Sequence, residues 1–155
     1  MRKLTAIVLG GLVAGTLDIL SAFASYVSQG ATVEGILKYI ASGLLGPAAM
    51  QGGIGVAWLG LAIHFALTTA MAAAYLFTAL KIKVLTAHPW ITGSVYGVIT
   101  WAVMVYIAVP LSGVTGWKLP QEWSIVSGLL AHVFYVGIPI AHITQLGFRK
   151  PGHSM

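Results

Sequence analysis

The chain has 155 residues, of which 58% are hydrophobic and only 7% charged, whereas an ordinary soluble domain carries about 25% charged residues. So few charges cannot cover the surface of a water-soluble domain, and the composition is that of one membrane domain. The basic excess, 8 Lys and Arg against 3 Asp and Glu, is scattered in small clusters at segment ends, which excludes a nucleic-acid-binding patch. The lack of cysteine excludes disulfides, thiolate metal sites, iron–sulfur clusters, covalent c-type haem and cysteine nucleophiles.

A helix needs about 20 mostly apolar residues to cross a bilayer, and the first such stretch runs from Thr5 to Val27. Gly11 and Gly15 form a small-xxx-small pair on it, and Asp18 shares their stripe with Ala14, Ser21, Ala22 and Ser25. Arg2 and Lys3 ahead of the run and Ala22-Phe23-Ala24 within it look like a signal peptide. The run is longer than the ~7 to 15 apolar residues of a signal core and contains Asp18, so the span is expected to be retained. Thr32 to Leu45 is too short to cross, and it carries Glu34 and Lys38 one turn apart. Val33, Ile36, Leu37, Ile40, Leu44 and Leu45 recur at helical spacing, which predicts a short amphipathic helix at the interface. Gly43, Gly46 and Pro47 end it, and Gly52 and Gly53 loosen the chain that follows.

The second span runs from Ile54 to Thr78, with Ala62, Ala66, Ala70 and Ala74 as a ladder expected to pack against a neighbouring helix. The third runs from Pro89 to Pro110 and carries the pair Gly93 and Gly97. The fourth runs from Trp123 to Ile143, where Pro139 is expected to free a carbonyl one turn earlier and kink the helix. After Leu146 the tail is short and polar. Spans that are apolar on nearly every side predict helices rather than a barrel, whose strands would alternate. Short loops favour antiparallel neighbours, giving an all-α fold: four transmembrane helices in an up-and-down bundle plus the short amphipathic helix.

Arg2 and Lys3, Lys81 and Lys83, and Arg149 and Lys150 fall on one side of this topology, against Lys38 and Lys118 on the other. The positive-inside rule therefore places both termini in the cytoplasm, with the amphipathic helix on the outer side. Trp58, Trp90, Trp117 and Trp123 mark span ends as an aromatic belt. His88 and His142 fall near the inner interface, and His153 lies in the tail.

Ionisable groups inside the bilayer cost at least ~2.5 kcal/mol on insertion scales and mark buried or watery places. Asp18, His64 and His132 each lie nine or ten residues from the outer end of their spans, about 14 to 15 Å deep at 1.5 Å per residue. With Thr100 of the third span they define a candidate polar layer. Four roles are open to it. The residues can fix helix register by hydrogen bonding. They can handle protons or a cation, since histidine titrates near neutral pH and a carboxylate tunes it. His64 and His132 can hold a metal ion or a b-type haem from diagonal helices. A catalytic centre has the least to stand on, because no HExxH or GxSxG signature accompanies the single carboxylate, and no catalytic residue is assigned. A rival of another class is a structural or accessory subunit, whose partner, beyond membrane lipid, is a second copy or another membrane protein.

Several runs also carry a resemblance: Gly11-Leu-Val-Ala-Gly-Thr-Leu-Asp18, Ile40-Ala-Ser-Gly-Leu-Leu-Gly46, Leu59-Gly-Leu-Ala-Ile-His64, Tyr96-Gly97, Pro110-Leu111-Ser112 and His132. Over most of its length the chain resembles a group of small bacterial membrane proteins and, more distantly, the YagU-like inner-membrane proteins. Asp18, His64 and His132 fall on matching positions in the nearer group, while Asp18 departs from the distant one. The resemblance implies a bacterial inner-membrane location and the topology above, and it brings no activity with it.

Overall fold

The computed structural model describes residues 1–114, 117–118 and 121–148. Arg149, Lys150 and His153, and with them the polar tail, lie outside the described residues. Among the described residues the chain is helical and holds no strand. Four helices are long and apolar enough to cross a membrane: α1 (Lys3–Val27), α3 (Ile54–Ala79), α5 (Pro89–Leu111) and α6 (Glu122–Phe148). These are the four expected spans. The largest difference is that α6 continues five residues past Ile143, through polar residues that end a hydropathy window but not a helix.

Between α1 and α3 comes α2 (Val33–Leu45), followed by a 3-10 turn over Gly46–Gln51. Thr32 caps α2 by accepting the Gly35 N–H at 3.0 Å, and Lys38 pairs with Glu34 at 2.6 Å one turn away. The inner face of α2 lies across the far end of α3: Leu37 joins Ile19 of α1 and Ala57 of α3 in a small apolar cluster. Gly60 of α3 sits directly beneath the Leu37 carbonyl, where any Cβ would collide with α2 backbone. The other end of α2 is tied to the turn after α5 by Gly113 N–H donating to Gly43 C=O at 2.8 Å. A single-turn α4 (Val84–Ala87) bridges α3 and α5.

The helix α1 lies against α3 and α6, and α5 lies against α6. The expected glycine pairs sit at these contacts. Gly11 and Gly15 meet Thr69, Thr68 and Phe65 of α3, and a Cβ on Gly97 would stand 2.6 Å from the His132 carbonyl oxygen of α6. The alanine ladder does not pack as expected. Ala62, Ala66, Ala70 and Ala74 are all exposed, while α3 turns the opposite face inward with Gly60, His64, Thr68, Ala72 and Tyr75. The inward face carries the polar and large side chains that need partners, and alanine is apolar enough to be left outside.

Pro139 is accompanied by an altered turn. The turn ahead of it, His132–Gly137, widens into a π-helix in which Ile138 N–H donates to the Val133 carbonyl five residues back. A second π turn, Met104–Ala108, precedes Pro110 in the same way. The extra residue in each turn accommodates a ring that would otherwise strike the carbonyl four residues earlier.

The bundle is tight at one end and loose at the other. At the near end, where α1 begins and α6 finishes, Ala14, Ala72, Tyr75, Val136, Ile140 and Ala141 form the main core. Tyr75 Oη lies 2.9 Å from the Leu85 carbonyl and 2.8 Å from Thr92 Oγ1, Tyr96 Oη donates to the Met71 carbonyl at 2.8 Å, and Gln145 Nε2 donates to the Thr86 carbonyl at 2.8 Å. Toward the far end, α1 packs on the His132–Gly137 and Ile138–Phe148 parts of α6 but draws away from Glu122–Ala131, which buries no residue.

Candidate functional site

The parting of α1 from α6 opens a cleft of about 920 Å³. Among the described residues its walls come from two segments, residues 18–29 and 123–135, and both Asp18 and His132 line it. Each lies about 14 to 15 Å along its helix from the far end at 1.5 Å per residue. Both side chains are half-buried.

The hydrogen bonds around the cleft commit several of its donors to backbone carbonyls. His132 Nδ1 lies 3.0 Å from the Gly128 carbonyl. A carbonyl only accepts, so Nδ1 carries the proton and the neutral ring keeps its Nε2 lone pair free to accept. Ser21 donates to the Asp18 carbonyl at 2.8 Å, Ser28 to the Ser25 carbonyl at 2.7 Å, and Ser127 to the Trp123 carbonyl at 2.8 Å. Each of these serines spends its one proton on its own helix, so what it can offer the cleft is lone pairs. The Asp18 carboxylate adds an anionic acceptor, and among the described residues the only ion pair is Lys38 with Glu34.

The expected layer therefore divides. His64 is buried, and its Nε2 donates to the Gly15 carbonyl on α1 at 2.8 Å, away from the cleft. Thr100 is buried too, with its hydroxyl directed to the Tyr96 and Gly97 carbonyls of its own helix at 3.0 and 3.1 Å. Asp18 and His132 are brought to one cavity, and His64 and Thr100 stand outside it. Among the described residues no three His, Cys, Asp or Glu side chains form a group able to hold a metal ion. Ligation of a metal or haem by His64 Nε2 would require that nitrogen to give up Gly15.

Ser28, Ser124, Ser127 and Gln29 also line the cleft and were missed by weighing only ionisable groups by depth, and Tyr135, on the same stripe as His132, joins them. The available signal was positional: Ser124, Ser127 and Ala131 recur at helical spacing and lead to the face that carries His132 and Tyr135. Trp123, read as an interfacial marker, stands at the mouth of the same cleft and is 71% exposed. No family model matches the chain, and neither does any curated protein or solved structure.

Proposed function

We propose that the protein is a multi-pass protein of a bacterial inner membrane, with both termini cytoplasmic, whose Asp18–His132 cleft takes up a positively charged species, a proton or a cation. Four long apolar helices support the membrane reading, and the basic clusters of the sequence support the orientation. The observation that carries the functional reading is the chemistry of the cleft. Its carboxyl group, its imidazole Nε2 and the hydroxyls of Ser21, Ser28 and Ser127 present acceptors, beside the hydroxyls of Ser25, Ser124, Tyr26 and Tyr135 and the Trp123 indole N–H, which can donate; the one group of formal charge among the described lining residues is the Asp18 carboxylate, with no lysine or arginine beside it. A carboxylate at that depth is costly unless water or a positive charge meets it.

The test is a melting series on the purified protein in mild detergent, with sodium, potassium, thallium(I) and tetraphenylphosphonium added in turn and with pH varied. A ligand that binds only the folded state raises the melting temperature. Stabilisation by at least one cation or by acid, absent in Asp18→Asn, is the expected result. Identical responses in the native protein and Asp18→Asn under every condition would overturn the reading.

His64 supports a second, structural role. Its bond to a backbone carbonyl of another helix fixes the register of α1 on α3.

A further inference from the structure

The geometry points to a lipophilic organic monocation, entering sideways from the bilayer, as the occupant of the α1–α6 cleft. This rests on the cation reading above and narrows it from charge to chemical class. Three features of the cleft carry the step.

The first is size. A cavity of about 920 Å³ lies at the upper end of the range for drug-sized ligands, roughly 300 to 1,000 Å³. A bare metal ion or proton would leave most of it to water, and a metal ion is normally wrapped by several ligands at once. Here a single carboxylate and a single imidazole stand in a wide space, and no three ligating side chains among the described residues converge.

The second is the character of the walls. Below the mouth they are built from Ala22, Val126, Leu130, Ala131 and Phe134. Tyr26, Trp123 and Tyr135 add aromatic faces toward which a cation is drawn. An apolar body with one delocalised positive charge satisfies both surfaces, with its charge toward Asp18 and its hydrocarbon against the walls. A hydrated inorganic ion would leave these apolar and aromatic faces without a partner.

The third is the way in. Among the described residues the cleft is lined by α1, the turn that follows it and α6, and neither α3 nor α5 closes its flank. Leu130, Phe134 and Tyr135 on that flank are 49%, 55% and 40% exposed. In a bilayer such a flank faces lipid, and amphiphilic cations gather at the headgroup and acyl boundary beside it. A zwitterionic lipid headgroup fits less well, because its phosphate would find no lysine or arginine among the described lining residues.

The experiment is equilibrium binding of radiolabelled tetraphenylphosphonium to the full chain in nanodiscs of phosphatidylcholine and phosphatidylglycerol, beside parallel binding of thallium(I). The native protein is expected to bind tetraphenylphosphonium saturably. Asp18→Asn should weaken binding about tenfold or more through loss of the charge, and Trp123→Ala about threefold through loss of an aromatic face. Asp18→Glu keeps the charge and should retain binding, which separates loss of the ligand group from misfolding. Saturable, Asp18-dependent binding of thallium(I) without tetraphenylphosphonium would overturn the organic-cation inference and leave the cation reading standing. Absence of Asp18-dependent binding of both, in variants whose melting is normal, would overturn the organic-cation inference and restrict the reading above to a proton, which is overturned in turn if acid shifts the melting of the native protein and of Asp18→Asn alike. Tetraphenylphosphonium binding that disappears when phosphatidylethanolamine is added to the nanodiscs would assign the cleft to the lipid headgroup instead.

Discussion

His64 of α3 and Gly15 of α1 are joined by a 2.8 Å hydrogen bond from the imidazole Nε2 to the backbone carbonyl. It forms where α1 presents no side chain: a Cβ on Gly15 would stand 2.7 Å from Thr68 Oγ1. The glycine lets the helices approach, and the approach brings the carbonyl within reach of the ring. His64→Phe keeps a ring of similar size and loses the bond, which should lower stability by about 1 kcal/mol, in line with interhelical hydrogen bonds in membranes. Unfolding by denaturing detergent measures this. Tetraphenylphosphonium binding should persist in the variant, since His64 lies outside the cleft. Loss of binding in a folded His64→Phe protein would place His64 back in one site with Asp18 and His132.

Gly97 governs a different contact. Its missing Cβ would lie 2.6 Å from both the His132 carbonyl oxygen and Val133 Cα, and both are backbone atoms that no rotamer change can move aside. Gly97→Ala should therefore force α5 and α6 apart at the level of His132 and cost about 2 kcal/mol or more, as overpacking does. Gly55→Ala is the matched control, because a Cβ there meets nothing within 4 Å. Melting in detergent should separate the two variants clearly, and equal melting temperatures would mean that the α5–α6 contact is looser than described.

The parts of this architecture that depend on local sequence were legible before the fold. Each crossing is a property of about 20 consecutive residues, and the pairs Gly11–Gly15 and Gly93–Gly97 announce close approach at one spacing. What was not legible depends on rotation about helix axes and on which helix lies opposite. Depth along a span placed Asp18, His64, Thr100 and His132 on one level, but the direction in which each side chain points splits them between a cleft and two packed interfaces. The alanine ladder misled for a related reason. A small residue is acceptable against lipid and against a helix alike, so its pattern carries no sign of which face is inside. The polar alternatives His64, Thr68 and Tyr75 on the same helix did carry that sign.

Pro139 is expected to set the aim of His132. The ring lies two residues past a π turn that begins at His132 itself, and removing one residue from such a turn would rotate the preceding helix by about 100°. Pro139→Ala restores the missing N–H and the room for an ordinary α turn. The variant should melt at the same temperature or higher while its Asp18-dependent cation binding falls, because His132 and Ser127 would swing relative to α1. Unchanged binding together with higher stability would show that the π turn relieves the proline ring and has no bearing on the cleft.

The near end of the bundle is held by a small shared-proton arrangement. Tyr75 Oη and Thr92 Oγ1 lie 2.8 Å apart, and both reach the Leu85 carbonyl, at 2.9 and 3.1 Å, while Thr92 Oγ1 also reaches the His88 carbonyl at 2.9 Å. Two hydroxyls own two protons for three possible bonds to acceptors and one to each other. Removing either hydroxyl therefore leaves the other free to serve the Leu85 carbonyl, and the two losses should not add. Tyr75→Phe should cost about 1 kcal/mol, Thr92→Val a similar amount, and the double variant should exceed their sum by about 0.5 to 1 kcal/mol, because only then is the Leu85 carbonyl left without a hydroxyl partner. A double-mutant cycle measured by detergent unfolding gives the coupling directly. Proteolysis at Lys81 and Lys83, which flank the bridge on its exposed side, should accelerate most in the double variant. Strict additivity would mean that the two hydroxyls act on separate carbonyls and that the near end is held by the packing of Tyr75 on Tyr96, whose ring centroids are 4.9 Å apart.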